Sequence, residues 1–248
     1  MKHAPRLIKN RLTMNVLVST CAHLIEIRRY HDGIELLERY IGEQPKSTNA
    51  LRMLSYMYCQ VYQYHKAEKA IEKAIGISPQ SSENYAQAGL IKLRLKQIKD
   101  AKVLYSKSLR INPIDSVANC GWAVIYRLEN NHEYAIEYLK TALEFSPSNE
   151  AASLLLARTL IDNNLLEPAL NELYSIVEKK MASANTFELM GLLHIRLRNL
   201  SEAKDMFDAA LDLNPNSISS KVGLGRLIAL GNKYEEANHY FEEMKFSN

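Results

Sequence analysis

The side chains best able to do chemistry are the seven histidines and three cysteines. His31 and His65 stand 34 residues apart, and His132 falls one place short of the same series. Imidazoles at a regular interval could ligate a metal. Such a site needs a carboxylate or thiolate converging on them, and the spacing supplies none, so these histidines read as turn residues on a solvated edge. Cys21, Cys59 and Cys120 are odd in number, far apart and in no CxxC pair, which argues against a metal finger or a disulfide framework and fits an intracellular setting. A cysteine nucleophile needs a base beside it. No histidine is implied next to Cys59 or Cys120, which read as packed or groove-lining thiols. HExxH, GxSxG and GxxxxGK[ST] do not occur. Gly223-Leu224-Gly225 has no strand before it, so it is not a phosphate loop. The expectation is therefore no catalytic residue, no metal and no cofactor.

The bulk chemistry agrees. Apolar residues make up 47% of the 248 and charged residues 24%, a globular composition, and no apolar run approaches the length of a membrane span. The formal charge is +3, but Lys2, Arg6, Lys9 and Arg11 all fall in the first 13 residues without an acid among them. The remainder is close to neutral and lacks the basic density of a nucleic-acid groove, so no nucleic-acid partner is expected.

The elements that must position these residues are set by a period. Pro45, Pro79, Pro113, Pro147 and Pro215 lie on one 34-residue grid, with Met181 where a proline is due. With proline at position 32, repeats span 14–47, 48–81, 82–115, 116–149, 150–183, 184–217 and 218–248, after a basic lead-in of residues 1–13. Position 8 is small throughout: Cys21, Ser55, Gly89, Ala123, Ala157, Gly191, Gly225. Position 20 is small too: Gly33, then Ala67, Ala101, Ala135, Ala169, Ala203 and Ala237. Position 24 is large and apolar, from Leu37 to Phe241. Two helices crossing where positions 8 and 20 meet require this, because only small side chains let backbones approach closely. Thr13, Ser47, Ser81, Asp115, Asn149, Ser183 and Ser217 precede the repeat starts and are good N-caps. Pro168 falls at position 19, where Ala169 is expected to open a helix and the proline to be tolerated in its first turn.

These residues resemble the tetratricopeptide repeat family, whose pattern is W-x2-L-G-x2-Y, A-x3-F and P within 34 residues. Repeat six carries it as Phe187, Met190, Gly191, His194, Ala203, Phe207, Ala210 and Pro215. Repeat two carries it as Leu51, Leu54, Ser55, Tyr58, Ala67, Ile71, Ala74 and Pro79. His194 stands where the family has tyrosine and reads as a hydrogen-bonded packing residue. The resemblance covers residues 14–248. It implies an all-α, right-handed α-solenoid of antiparallel helix pairs with a concave inner face. At position 28, six apolar residues from Ile41 to Leu211 give way to Lys245, which reads as the polar end of the stack, while Phe246 has no obvious place. The lead-in is expected to cover the first repeat.

The resemblance also implies that first-helix positions 2, 5, 9, 12 and 13 line the inner face. By register these are Arg52, Tyr56 and Cys59; Leu90, Leu93 and Arg94; Cys120, Val124 and Arg127; Leu154, Arg158, Ile161 and Asp162; Glu188, Leu192, Ile195 and Arg196; Val222 and Arg226. About one arginine per repeat among aliphatic residues suits a protein or peptide partner with apolar anchors and carboxylates. The family's carboxylate clamp is not matched, since repeat one offers Val18 and Ala22 and repeat two Arg52 and Tyr56. The expected function is a non-enzymatic, cytoplasmic interaction scaffold or adaptor. Homo-oligomerisation through the convex face or an edge is compatible with it. A second reading is an assembly factor of a bacterial secretion or pilus system. Leu17-Val18-Ser19-Thr20-Cys21 after a basic head resembles a lipoprotein signal, which would anchor the protein in the periplasm through Cys21. Against that, Asn10, Arg11, Thr13 and Asn15 interrupt the apolar core such a signal needs, and Cys21 fits position 8.

Overall fold

The structure is a computed structural model that describes residues 13–246, with side chains through Glu242. The lead-in up to residue 12, and the side chains of Lys245 and Phe246, lie outside the described residues. Among the described residues there are fourteen α-helices and no strand. The helices come in consecutive pairs: α1 (Met14–Glu26) with α2 (Tyr30–Glu43), α3 (Thr48–Gln60) with α4 (Tyr64–Ile77), and α5 (Ser82–Arg94) with α6 (Ile98–Ile111). Next come α7 (Ser116–Leu128) with α8 (His132–Phe145) and α9 (Glu150–Asp162) with α10 (Leu166–Glu178). The last two pairs are α11 (Ala184–Arg196) with α12 (Leu200–Leu213) and α13 (Ile218–Leu230) with α14 (Tyr234–Phe246). This is the all-α solenoid class of fold. Two compact units divide the chain at Gly121/Trp122, within α7.

In the first unit α3 packs on α2, α4 and α5, and α5 packs in turn on α4 and α6. In the second, α9 packs on α8 and α10, α11 on α10 and α12, and α13 on α11, α12 and α14. The first helices α3, α5, α9, α11 and α13 are thus each held between their own partner and the preceding pair. No pair could bury its apolar stripe alone.

The helix starts follow from local chemistry. Thr13, Ser47, Ser81, Asp115, Asn149 and Ser217 each accept a hydrogen bond from the amide three residues on, satisfying a first-turn donor that has no partner within the helix. At α11 the Ser183 N–H donates to Thr186 Oγ1 at 3.3 Å and to Glu150 Oε1 at 3.0 Å, which ties the start of this helix to the start of α9. α10 opens at Leu166, three residues before the expected Ala169. Pro168 is therefore its third residue, still in the turn where a missing N–H costs nothing.

Within every pair three residues join the helices, and the middle one is left-handed: Arg28, Tyr62, Lys96, Asn130, Asn164, Arg198 and Asn232, with φ between 56° and 67°. The following N–H returns to a carbonyl five residues back, as from Gln63 to Tyr58 and from Asn199 to His194. Only three of the seven are asparagine. The other four accept roughly 1 kcal/mol of strain in exchange for the closed turn. Lys180 (φ 56°) explains how the fifth pair does without proline: the Met181 N–H, which a proline would lack, bonds to Ile176 O at 3.1 Å and stops α10 by the same device.

The core sits at the helix crossings. Positions 8 and 20 are buried in all seven pairs. Position 24 is buried in six and partly exposed in Phe241. Side-chain size is balanced across neighbouring pairs. Tyr105 and Phe207 are the fully buried aromatic residues at position 24. Each lies between two glycines, one at position 8 of its own pair and one at position 6 of the next. A Cβ at Gly89 would come within 2.7 Å of the Tyr105 ring, and one at Gly121 would overlap it. Gly191 and Gly223 stand in the same relation to Phe207. Where position 24 is aliphatic (Leu37, Ile71, Leu139, Leu173), position 8 holds Cys, Ser or Ala and the next position 6 holds Met53, Gln87, Leu155 or Leu189.

This balance predicts a reversal of sign. Gly121→Ala should destabilise the protein by about 1–3 kcal/mol through overpacking. In a Tyr105→Leu background the same change should stabilise by up to about 1 kcal/mol, because alanine is the better helix former. Urea unfolding of the four proteins of this double-mutant cycle measures both, and equal effects in the two backgrounds would refute the packing account.

Candidate partner-binding face

The residues singled out by register sit on first helices in both units. In the first unit, Tyr56 and Cys59 on α3 and Arg94 on α5 form a connected group. The Tyr56 hydroxyl is pushed up by burial, with Tyr30 and Cys59 adding to the shift and the Arg94 charge opposing it. Burial raises the Cys59 thiol to about 11, again against Arg94. Leu90 is half-buried nearby in sequence on α5, and Arg94 is exposed. Arg52 is turned to its own fold: it donates to Asn49 Oδ1 at 3.2 Å and lies 3.9 Å from Glu83 of the next pair. Cys120 is half-exposed, its thiol raised to about 11, first by burial and then by Asp115, while a hydrogen bond with Ser116 pulls the other way.

In the second unit Val124, Leu154, Ile161 and Ile195 are half-buried, while Arg158, Leu192, Arg196 and Arg226 are exposed. Arg127, expected to project inward, meets Asp162, another residue of the expected inner face. Its guanidinium pairs with Asp162 Oδ2 at 2.6 Å, bridging α7 and α9. Arg196 Nη1 donates to the Ile161 carbonyl at 3.4 Å. Glu188 accepts from Ser217 Oγ and, at 3.1 Å, from Ser220 Oγ, placing its charge at the N-terminus of α13. These groups tie one repeat to the next. Arg158 and Arg226 meet no carboxylate among the described residues and remain available.

A cleft of 530 Å³ in this unit joins two of the expected residues, Ile195 and Arg226, to five that the register did not single out: Arg198, Ala229, Leu230, Asn232 and Tyr234. Two guanidiniums without acidic partners stand beside an apolar floor, with Leu230 45% and Tyr234 63% exposed at its rim. Leu230 was available to the register argument at position 13. Arg198 was not, because position 15 lies in the left-handed turn between the two helices.

The histidines divide. His31 and His65 are exposed, and His65 Nδ1 lies 3.9 Å from Glu68. His194 is buried, with Nε2 3.4 Å from the Tyr174 hydroxyl. Cys21 is wholly buried in α1, and burial raises its thiol. Among the described residues no three His, Cys, Asp or Glu side chains are grouped to hold a metal ion, and no helix is long and apolar enough to cross a membrane.

Tetratricopeptide repeat models match residues 82–115, 126–191 and 189–245. The chain is a tetratricopeptide repeat protein. Among solved structures, this repeat protein superposes on the APC/C hetero-tetramer Cut9–Hcn1 with a TM-score of 0.74 at 14% identity, covering 89% of its own length but only 44% of that chain. PilW, a widely conserved type IV pilus biogenesis factor, gives 0.67 at 20% identity, covering 85% of this chain and 97% of that one. PilF of Pseudomonas aeruginosa gives 0.69 at 17%, covering 82% and 92%. YrrB, a repeat protein with an unusual peptide-binding site, gives 0.51 at 20%, covering 74% and 95%. At these identities the likeness establishes the fold alone. No curated protein matches the chain.

With thiol values near 11, Cys59 and Cys120 are overwhelmingly protonated at pH 8, so iodoacetamide should modify both at least about tenfold more slowly than free cysteine. Mass spectrometry of timed samples checks this. Labelling as fast as free cysteine would mean that the thiols are activated.

Proposed function

We propose that this protein is a non-enzymatic scaffold or adaptor whose first-helix face in the second unit holds a segment of a partner protein. A tetratricopeptide repeat fold is a framework for protein–protein interaction. The specific reading is carried by the cleft between α11 and α13, where Arg198 and Arg226 stand unpaired beside Ile195, Ala229, Leu230 and Tyr234. Guanidinium pairs recognise carboxylates bidentately, and an apolar floor accepts an aliphatic or aromatic anchor. The segment therefore carries both. Arg158, likewise unpaired, extends the basic character of the face. The chemistry needs no catalytic group. We place the protein in the cytoplasm, with Cys21 as a packing residue of the first unit.

The nearly complete overlap with the pilus proteins PilW and PilF supports a second reading, that of an assembly factor for a bacterial pilus or secretion system. Anchoring through Cys21 is not needed for it: lipidation at this buried position would remove the preceding turns of α1, including the buried Leu17.

Affinity purification from native extract, with Arg158→Glu plus Arg226→Glu as the comparison, tests the proposal. Neither arginine is paired among the described residues, so far-UV helicity and the melting temperature should hold while the captured partner falls at least tenfold. Capture undiminished by the double change would move the site off this face. Pilus or secretion components among the lost proteins would select the second reading.

A further inference from the structure

The second repeat differs from its neighbours on the opposite side of the helix pair, away from the first-helix face. Positions 7, 11, 19 and 23 of a repeat share one surface there. In the fourth repeat they are Trp122, Tyr126, Tyr134 and Tyr138, whose rings stack at centroid distances of 5.3–6.0 Å and fill the space. In the second repeat they are Leu54, Tyr58, Lys66 and Ala70. Position 23 is Leu, Leu, Tyr, Met and Tyr in repeats one, three, four, six and seven, so Ala70 leaves room that these repeats occupy. The result is a cavity of 260 Å³ between α2, α3 and α4, with an apolar floor that includes Ile41, Leu51 and Leu54.

Its rim is basic. Lys66, Lys69 and Lys73 all border the cavity and follow one face of α4. The other repeats have Asp32, Asp100, Glu202 and Glu236, or Tyr134 and Pro168, in place of Lys66, and none has a lysine in place of Lys69. Lys66 stands over the Tyr58 ring, 5.5 Å from its centroid, and neither Lys69 nor Lys73 meets a carboxylate among the described residues. The acids of α4 face the other way, Glu68 bonding to Lys92 of α5 with Glu72 close to the same lysine. Lys69 and Lys73, like Glu68 and Glu72, are thus like-charge neighbours four apart, an arrangement that works against the helix itself. Among the described residues the one carboxylate lining the cavity is Glu38, which the Tyr58 hydroxyl engages.

We propose that this cavity is a second docking site, for an acidic peptide segment that inserts one bulky apolar side chain and lays its carboxylates along Lys66, Lys69 and Lys73. A cavity of 260 Å³ over an apolar floor has room for one bulky side chain, and the lysines on its rim select for the carboxylates beside it. The lysines span about 10 Å of helix at 1.5 Å per residue, the length of three residues of extended chain at about 3.3 Å each. Carboxylates on both sides of an anchor therefore reach the outer two lysines.

The test is fluorescence anisotropy on the full chain with fluorescein-labelled EEDFEED, QQNFQQN and EEDSEED. EEDFEED should bind, with at least tenfold preference over both controls. Lys69→Glu with Lys73→Glu should weaken it at least tenfold. Ala70→Leu should do the same without altering charge, and the fold accommodates it because Leu36 and Leu104 hold that position elsewhere. These measurements are made in an Arg198→Glu, Arg226→Glu background, which disables the first-helix cleft, and the binding that persists there and is lost through the α4 changes separates this site from that face. Absence of binding, equal binding of the controls, or insensitivity to the α4 variants would overturn the proposal. So would phosphatidylserine vesicles binding through the same lysines while EEDFEED does not, which would make the rim a membrane contact. Light scattering that shows self-association abolished by Lys69→Glu with Lys73→Glu, again without peptide binding, would assign the cavity to a second copy.

Discussion

Two helices can be drawn together only as far as their largest facing side chains permit, and this protein is built on meeting that limit seven times. Positions 8 and 20 hold nothing larger than cysteine or serine, and every one of these residues is buried. Close approach then brings position 24 against the neighbouring first helix. A buried aromatic ring there is tolerated only where glycine stands on both sides, as around Tyr105 and Phe207. The pairs are thus not interchangeable: each is fitted to the one that follows by exchange of volume across the contact.

That fit governs what remains for binding. Once the crossings take the apolar stripe, polar groups on first helices have two uses, and the structure divides them. Arg52, Arg127 and Glu188 reach across to the next first helix and reinforce the stack. Arg158, Arg198 and Arg226 do not, so they can meet a partner's carboxylates without first losing an internal one. A pair already satisfied offers little net gain on exchange, whereas an unpaired guanidinium beside an apolar floor gains its first partner. In the second repeat the same logic operates on the other side, where a small residue at position 23 and a one-sided row of lysines leave space and charge unspent.

The fold was legible in the sequence because its determinants are local and recur. The proline grid, the small positions and the capping residues before each first helix are all read along one strand of text, and α3, α5, α7, α9, α11 and α13 begin at Thr48, Ser82, Ser116, Glu150, Ala184 and Ile218, one residue after them. The partnership of Gly121 and Gly223 with rings in the preceding pair was harder to see, since it couples positions 6 and 24 across a repeat boundary. The site was legible in part. Register singled out Ile195 and Arg226, which line the cleft, but whether an arginine is paired depends on a carboxylate some 35 residues away, as Asp162 is from Arg127. Arg198 was hidden by a backbone conformation that no residue type at position 15 announces, the same turn being made by Arg28, Tyr62, Lys96 and three asparagines.

Hydrogen-exchange mass spectrometry of Ala101→Leu and Ala203→Leu tests the close-approach constraint most directly. Each substitution places a long side chain at a buried position 20 while keeping a strong helix former. If close approach is required, amide protection is lost in α5 and α6 for the first and in α11 and α12 for the second, spreading to the helices packed on them, α4 and α13. Native protection retained in both variants would contradict that requirement, since the helices would then not depend on a small residue where they cross.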